Sequence, residues 1–199
     1  MKDKNVDDLY QEQIKMSLKA DTKALMYGRV VNKHARTNLC FDKVAQTANY
    51  AKGMGTIIAY DEVTLTSEVK NNLPQWFGHM ANDMIAEANY YANPLKNYIG
   101  YHGDSERRIV IAYRLGAEMP LHYQWFHQSE PIGHRIELSI RHGDIYVMGE
   151  KAVGFDWKKK KIYTLRHAAG AQKLLETKKK TKLPLSKIKI LLKTKQDKL

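Results

Sequence analysis

His102, Gly103 and Asp104 stand together in the run Tyr101-His-Gly-Asp-Ser-Glu106. In an extended segment, residues two apart leave from the same face. The His102 imidazole and the Asp104 carboxylate therefore point the same way and can take two adjacent positions on one metal ion. A histidine from a distant strand would complete a set of two histidines and one carboxylate. That donor set suits Fe(II) and leaves three positions open for a cosubstrate and oxygen. Far downstream, the run Thr164-Leu-Arg-His-Ala-Ala-Gly170 reads as a strand that carries a histidine, His167. The bland alternative makes His102 and Asp104 a surface turn and His167 a structural residue, because the His-x-Asp spacing is common by chance.

The rest of the composition narrows the setting. The chain has 199 residues, enough for one domain plus a tail, with 43% hydrophobic and 27% charged residues. A single cysteine, Cys40, excludes a disulfide framework and a cysteine-based zinc site, and fits a reducing compartment. No apolar run approaches the roughly 18 residues of a membrane helix. The first eight residues, Met-Lys-Asp-Lys-Asn-Val-Asp-Asp, are too acidic and polar for a secretory signal. The expectation is an intracellular monomer, in the cytoplasm or nucleus of a host cell, with no membrane association. The net charge of +12 is unevenly spread: ten lysines fall between Lys173 and Leu199, against Glu176 and Asp197. A second run is Lys158-Lys-Lys-Lys161. Residues 1–170 thus read as a near-neutral domain and 171–199 as a basic tail. Such a tail either attracts a polyanion or is a solvated end.

The elements that must position these residues follow from spacing. Val6, Leu9, Tyr10, Ile14, Leu18 and Leu25 recur near helical period, so residues 1–26 read as a helix that Gly28 ends. Residues 27–41 read as a polar strand or a loop over a site. A turn at Gly53–Gly55 precedes a strand over 56–60. Thr66 or Ser67 can cap a short helix to Gly78, with Pro74 as a bend or break. Strands are expected over 84–91, 109–115, 121–126, 135–140, 144–148 and 162–167. Their separators are Gly116, Pro120, Pro131-Ile-Gly133, His142-Gly143 and Gly154. The fold class is mainly β with N-terminal helices, an antiparallel sandwich or barrel.

At its three polar blocks the chain resembles the AlkB-like Fe(II)- and 2-oxoglutarate-dependent dioxygenases, most closely the viral members. Asn89-Tyr-Tyr91 matches the family's Asn-x-Tyr strand. His102-Gly-Asp104-Ser-Glu106-Arg107 matches the segment in which an acidic residue follows the iron ligands. His142-Gly-Asp144-Ile-Tyr-Val-Met148 matches the family's Gly-Asp strand. The likeness runs from about Tyr27 to Gly170, and the order and separation of the blocks are more specific than any one block.

The resemblance implies a double-stranded β-helix, a jelly roll of two sheets. It implies that His102, Asp104 and a distal histidine bind iron, that Asn89 and Tyr91 contact 2-oxoglutarate, and that Glu106 falls where the family recognises its target base. Two features depart from the pattern. The expected distal histidine falls near Trp157-Lys158, where there is none, so His167 is the ligand we favour. No arginine follows His167 to grip the far carboxylate of 2-oxoglutarate. One alignment places Arg166 at that anchor and leaves the third ligand missing. The other requires a tail lysine such as Lys189 or Lys193.

Lys33, His34 and Arg36 fall in the segment that forms part of the substrate lid in such proteins. Trp125, in His122-Tyr-Gln-Trp-Phe-His127, sits on a strand able to line a base pocket, although alternating aromatic residues also simply fill a jelly roll. The implied function is oxidative demethylation or dealkylation of nucleobases in DNA or RNA, as in DNA repair, with Fe(II) and 2-oxoglutarate as cofactors. The rivals are a 2-oxoglutarate-dependent hydroxylase of a protein side chain or small molecule, and a non-catalytic nucleic-acid-binding jelly roll.

Overall fold

The computed structural model describes residues 5–171 and Leu175. The chain is mainly β-sheet. In order it forms α1 (Val6–Ser17), β1 (Lys23–Met26), β2 (Arg29–Asn32), β3 (Thr37–Asp42), β4 (Ile57–Ala59), α2 (Thr64–Phe77), β5 (Ala86–Tyr90), β6 (Ile99–His102), β7 (Val110–Tyr113), β8 (Leu121–His127), β9 (Glu130–Leu138), β10 (Ile145–Met148), α3 (Glu150–Val153) and β11 (Thr164–Ala169). Among the described residues no helix is long and apolar enough to cross a membrane.

Helix α1 starts at a capping box in which Asn5 and Asp8 satisfy each other's backbone N–H groups. It also caps its neighbour. Val63, at the start of α2, has no capping side chain, and the Glu12 carboxylate accepts Leu65 N–H at 2.9 Å, Thr66 N–H at 2.9 Å and the Thr66 hydroxyl at 2.7 Å. The two helices cover one face of the sheet β4-β3-β5, where Leu39, Phe41, Ile58 and Val63 form a buried cluster. Ala86, Ala88 and Tyr90 of β5 pack against it. By strand alternation, Glu87, Asn89 and Tyr91 leave from the other face.

The helix expected over residues 1–26 ends at Ser17. Buried Asp21, only 3% exposed, accepts the Tyr50 hydroxyl at 2.9 Å, Thr56 N–H at 2.8 Å and the Thr56 hydroxyl at 2.7 Å, which pins the chain in an extended course. The hairpin β1–β2 then turns at Tyr27 and Gly28, with φ of 50° and 75°. Two adjacent positive φ angles are what a tight two-residue hairpin turn needs. Gly28 is therefore a turn residue and not a helix stop.

The antiparallel sheet β6-β11-β8-β9 carries the candidate ligands, and β7 pairs with β10 in a separate ribbon. Pro131-Ile-Gly133, expected as a turn, lies inside β9, and the reversal comes earlier at Gln128 and Ser129, both with positive φ. An edge strand tolerates proline because one side has no ladder to complete. The register slips between Tyr123 and Trp125, opposite Gly133 with φ of 68°. The packed chain extends beyond residue 170, since Leu175 is 6% exposed. The remaining basic tail, with Lys189 and Lys193, lies outside the described residues.

Candidate metal centre

Strand β6 ends at His102, and β11 runs beside it with His167 directly opposite in the ladder. The register slips between His167 and Ala169, an irregularity of the kind that re-aims side chains. The two imidazole rings are 4.3 Å apart between centroids. Asp104 is brought in by a contact outside the sheet. Its N–H donates to the Val153 carbonyl at 3.0 Å, at the end of α3. Between the two ligands, Gly103 lies against Gly154 and Trp157 so closely that a Cβ there would meet the Gly154 oxygen at 2.3 Å. The Trp157 indole N–H donates to Ser105 at 3.1 Å and braces the same segment.

Asp104 Oδ1 is 3.6 Å from His102 Nε2, and Oδ2 is 3.9 Å from His167 Nε2. These gaps exceed hydrogen bonds. One donor atom from each of the three residues lies within 4.8 Å of the others. His102 Nδ1–H donates to the Gly100 carbonyl at 2.8 Å, which leaves Nε2 with a free lone pair toward Asp104 in the neutral ring. A ring fixed through its far nitrogen is the usual support of a metal-binding histidine. His167 is buried, and burial together with the charge of His102 lowers its pKa to about 4, against the opposing pull of Asp104. It is neutral at physiological pH, as a ligand must be. Two neutral nitrogen donors and a carboxylate on one side of a point fit a divalent transition metal with open positions.

A polar chain ties this centre to the sheet β4-β3-β5. Arg107 reaches Glu87 at 2.6 Å and lies 4.0 Å from Asp104 Oδ2. Glu87 accepts from Asn38 at 3.2 Å, and Asn38 in turn accepts from Lys33. On the same face Arg36 Nε–H donates to Asn89 Oδ1. Asn89 and Tyr91 thus lie on the face joined to the ligands, not on the face packed against the helices. Burial raises the pKa of the Tyr91 phenol, while the charges of Arg36 and Arg114 pull the other way.

The other expected site residues are distributed unevenly. Glu106 is well exposed and 3.7 Å from Arg107. His34 is exposed, and its carbonyl accepts from Asn97 at 3.1 Å. Trp125 shares the face of His167 by alternation, but the Lys151 ammonium sits 5.7 Å over its ring, itself held by Asp156 at 2.7 Å and the Tyr163 carbonyl at 2.6 Å. The ring is packing between β8 and the segment after α3, which corrects its expected role as an open platform for a base. Arg166 is a second correction. It pairs with Gln124 in the ladder, one residue off His167, and strand alternation sends it to the opposite face. There its guanidinium stacks on Phe126 at 4.0 Å and on Trp157 at 5.3 Å, away from the ligands.

Glu87, Arg107, Gly154 and Trp157 are missing from the sequence reading. Each acts through a contact between distant segments, and only Gly154, as turn chemistry, carries a local signal. No family model matches the sequence. Over 172 residues, 86% of this chain, it is 49% identical to a protein of Acanthamoeba polyphaga mimivirus described as uncharacterized protein R156. The match spans 66% of that protein, slightly under two thirds of its length.

Proposed function

We propose that the chain is an Fe(II)- and 2-oxoglutarate-dependent dioxygenase with a jelly-roll core that oxidises alkyl groups on nucleobases in DNA or RNA. The observation that carries this reading is the convergence of His102, Asp104 and His167, from three segments, on one point. The sheet order also supports it. Strand β11 inserts between β6 and β8, the kind of non-sequential pairing that antiparallel Greek-key folds use.

His102, Asp104 and His167 would hold the iron, which supplies oxygen activation when bound. The chain's own residues bind and orient. Gly100 fixes the His102 tautomer, and Arg107 holds Asp104 in place against Glu87. Asn89 and Tyr91 offer an amide and a phenolic O–H to a bound 2-oxo acid. Glu106, Lys33, His34 and Arg36 lie outward of that face, where a nucleotide would approach. The lysines of residues 171–199 supply sequence-independent attraction to phosphate. The mimivirus relative is in keeping with the likeness to viral AlkB-like proteins.

The test is incubation of the full chain with Fe(II), 2-oxoglutarate and oxygen, with succinate followed with and without methylated oligonucleotides. Succinate formation that oligonucleotides stimulate is expected. Succinate without stimulation by any nucleic acid would move the substrate to a protein side chain or small molecule. Absence of both succinate and bound metal would overturn the reading and leave a non-catalytic binding module.

A further inference from the structure

Arg114 ends the β7–β10 ribbon. Its N–H donates to the Asp144 carbonyl at 2.9 Å, and its own carbonyl accepts Gly143 N–H at 2.8 Å, so the ladder continues one step past Tyr113. Ala112 pairs with Tyr146 and Val110 with Met148. Met148 is buried, whereas Ile145 and Val147 on the other face are exposed. Alternation puts Arg114 on the inward face with Tyr146 and Met148.

The surroundings of this arginine lack an anion. Its Nε and Nη2 donate to the Ala117 carbonyl at 2.9 and 2.5 Å, and no carboxylate pairs with it among the described residues. Burial lowers its pKa, with only the phenols of Tyr146 and Tyr91 opposing. Tyr146 and Tyr91 influence each other, and Tyr123 senses Tyr146. Burial raises all three phenols, Tyr123 to about 12, so each is a neutral O–H donor. A half-buried guanidinium ringed by hydroxyl donors and without a counterion is a site for a carboxylate. Tyr123 links it to the metal centre, because it stands opposite His167 in the ladder.

We infer that Arg114, with Tyr91 and Tyr146, binds the far carboxylate of a dicarboxylic 2-oxo acid whose other end meets the His102–Asp104–His167 centre. This rests on the dioxygenase reading. It supplies the anchor that Arg166 cannot provide from the opposite face. An arginine suits the role because its remaining N–H groups can pair with both carboxylate oxygens, which a lysine cannot do.

The experiment titrates 2-oxoglutarate and 2-oxobutyrate, which shares the 2-oxo acid head but lacks the second carboxylate, into the Mn(II)-loaded full chain by calorimetry. The wild-type protein should prefer 2-oxoglutarate at least tenfold. Arg114→Gln should lose that preference at least tenfold while its affinities for Mn(II) and 2-oxobutyrate hold, and Arg114→Lys should fall between. Wild-type affinity for 2-oxoglutarate in Arg114→Gln overturns the anchor. Should Arg114→Gln fail to bind Mn(II), the wild-type preference and Tyr146→Phe decide. No preference in the wild type, or no selective loss of 2-oxoglutarate in Tyr146→Phe, overturns it. A wild-type protein that binds neither acid sinks the dioxygenase reading itself, whereas equal binding of both sinks the anchor alone.

Discussion

Gly103→Ala tests how the centre is held. A Cβ at residue 103 would lie 2.3 Å from the Gly154 oxygen and 2.6 Å from both Cβ and Cγ of Trp157. Carbon–oxygen contacts settle at about 3.3–3.6 Å, so the two segments must part by about 1 Å. Gly154 cannot yield easily: it sits at φ of 76°, and its own Cβ position faces the Leu165 carbonyl at 2.7 Å. Metal–ligand distances tolerate only about 0.2 Å. The displacement therefore exceeds what Asp104 can absorb while keeping its place beside two histidines. Overpacking of this kind costs about 2 kcal/mol. In a domain of this size that lowers Tm by about 4–8 °C. Affinity for Mn(II) should fall at least tenfold. The assays are thermal unfolding without metal and calorimetric titration of Mn(II). The control is Gly100→Ala, where an added Cβ meets nothing within 4 Å, and where both readouts should stay near wild type. A Gly103→Ala protein with wild-type Tm and wild-type Mn(II) affinity would refute the claim that this glycine contact sets the centre.

Other perturbations separate the remaining parts. His167→Ala and Asp104→Ala should each abolish stoichiometric Mn(II) binding, read by calorimetry. His122→Ala should not, because His122 is buried on the opposite face against the Gly170 carbonyl at 2.8 Å. Asp21→Ala removes an acceptor of three hydrogen bonds and should cost about 3 kcal/mol, seen as a lower urea midpoint with Mn(II) affinity in the folded protein unchanged. Deleting residues 177–199 should weaken binding to a duplex oligonucleotide and flatten its salt dependence, while the affinity for Mn(II) holds. A salt slope equal to that of the full chain would rule out the tail as a phosphate-binding element.

What the sequence discloses is mostly local. Runs such as Val110–Tyr113, Ile145–Met148 and Thr164–Ala169 declare themselves by β-branched and aromatic content, and all are strands. The pairing of His102 with Asp104 is legible because a spacing of two is a property of extended chain. The opposition of His102 and His167 is a matter of register between distant strands, which no local pattern encodes. Arg166 was separable from His167 by parity alone. Gly28 misleads because a glycine that ends a helix and one that turns a hairpin look alike in sequence. Pro131 misleads because only the sheet order reveals that β9 is an edge. The Gly103–Gly154 contact and the Arg107 bridge are tertiary, and their residue types carry no signature of their partners.

The insertion of β11 between β6 and β8 has a kinetic consequence. The outer strands of that sheet can pair early, but the ligand set stays incomplete until the last strand enters a slot held open between two others. During synthesis His102 and Asp104 wait for His167 to leave the ribosome. Contacts this far apart in the chain make for slow folding, because loop-closure entropy is lost before any contact repays it. An ion that requires all three residues would bind the finished sheet and not its precursors, so it would act as a latch that deepens the native well without speeding its formation.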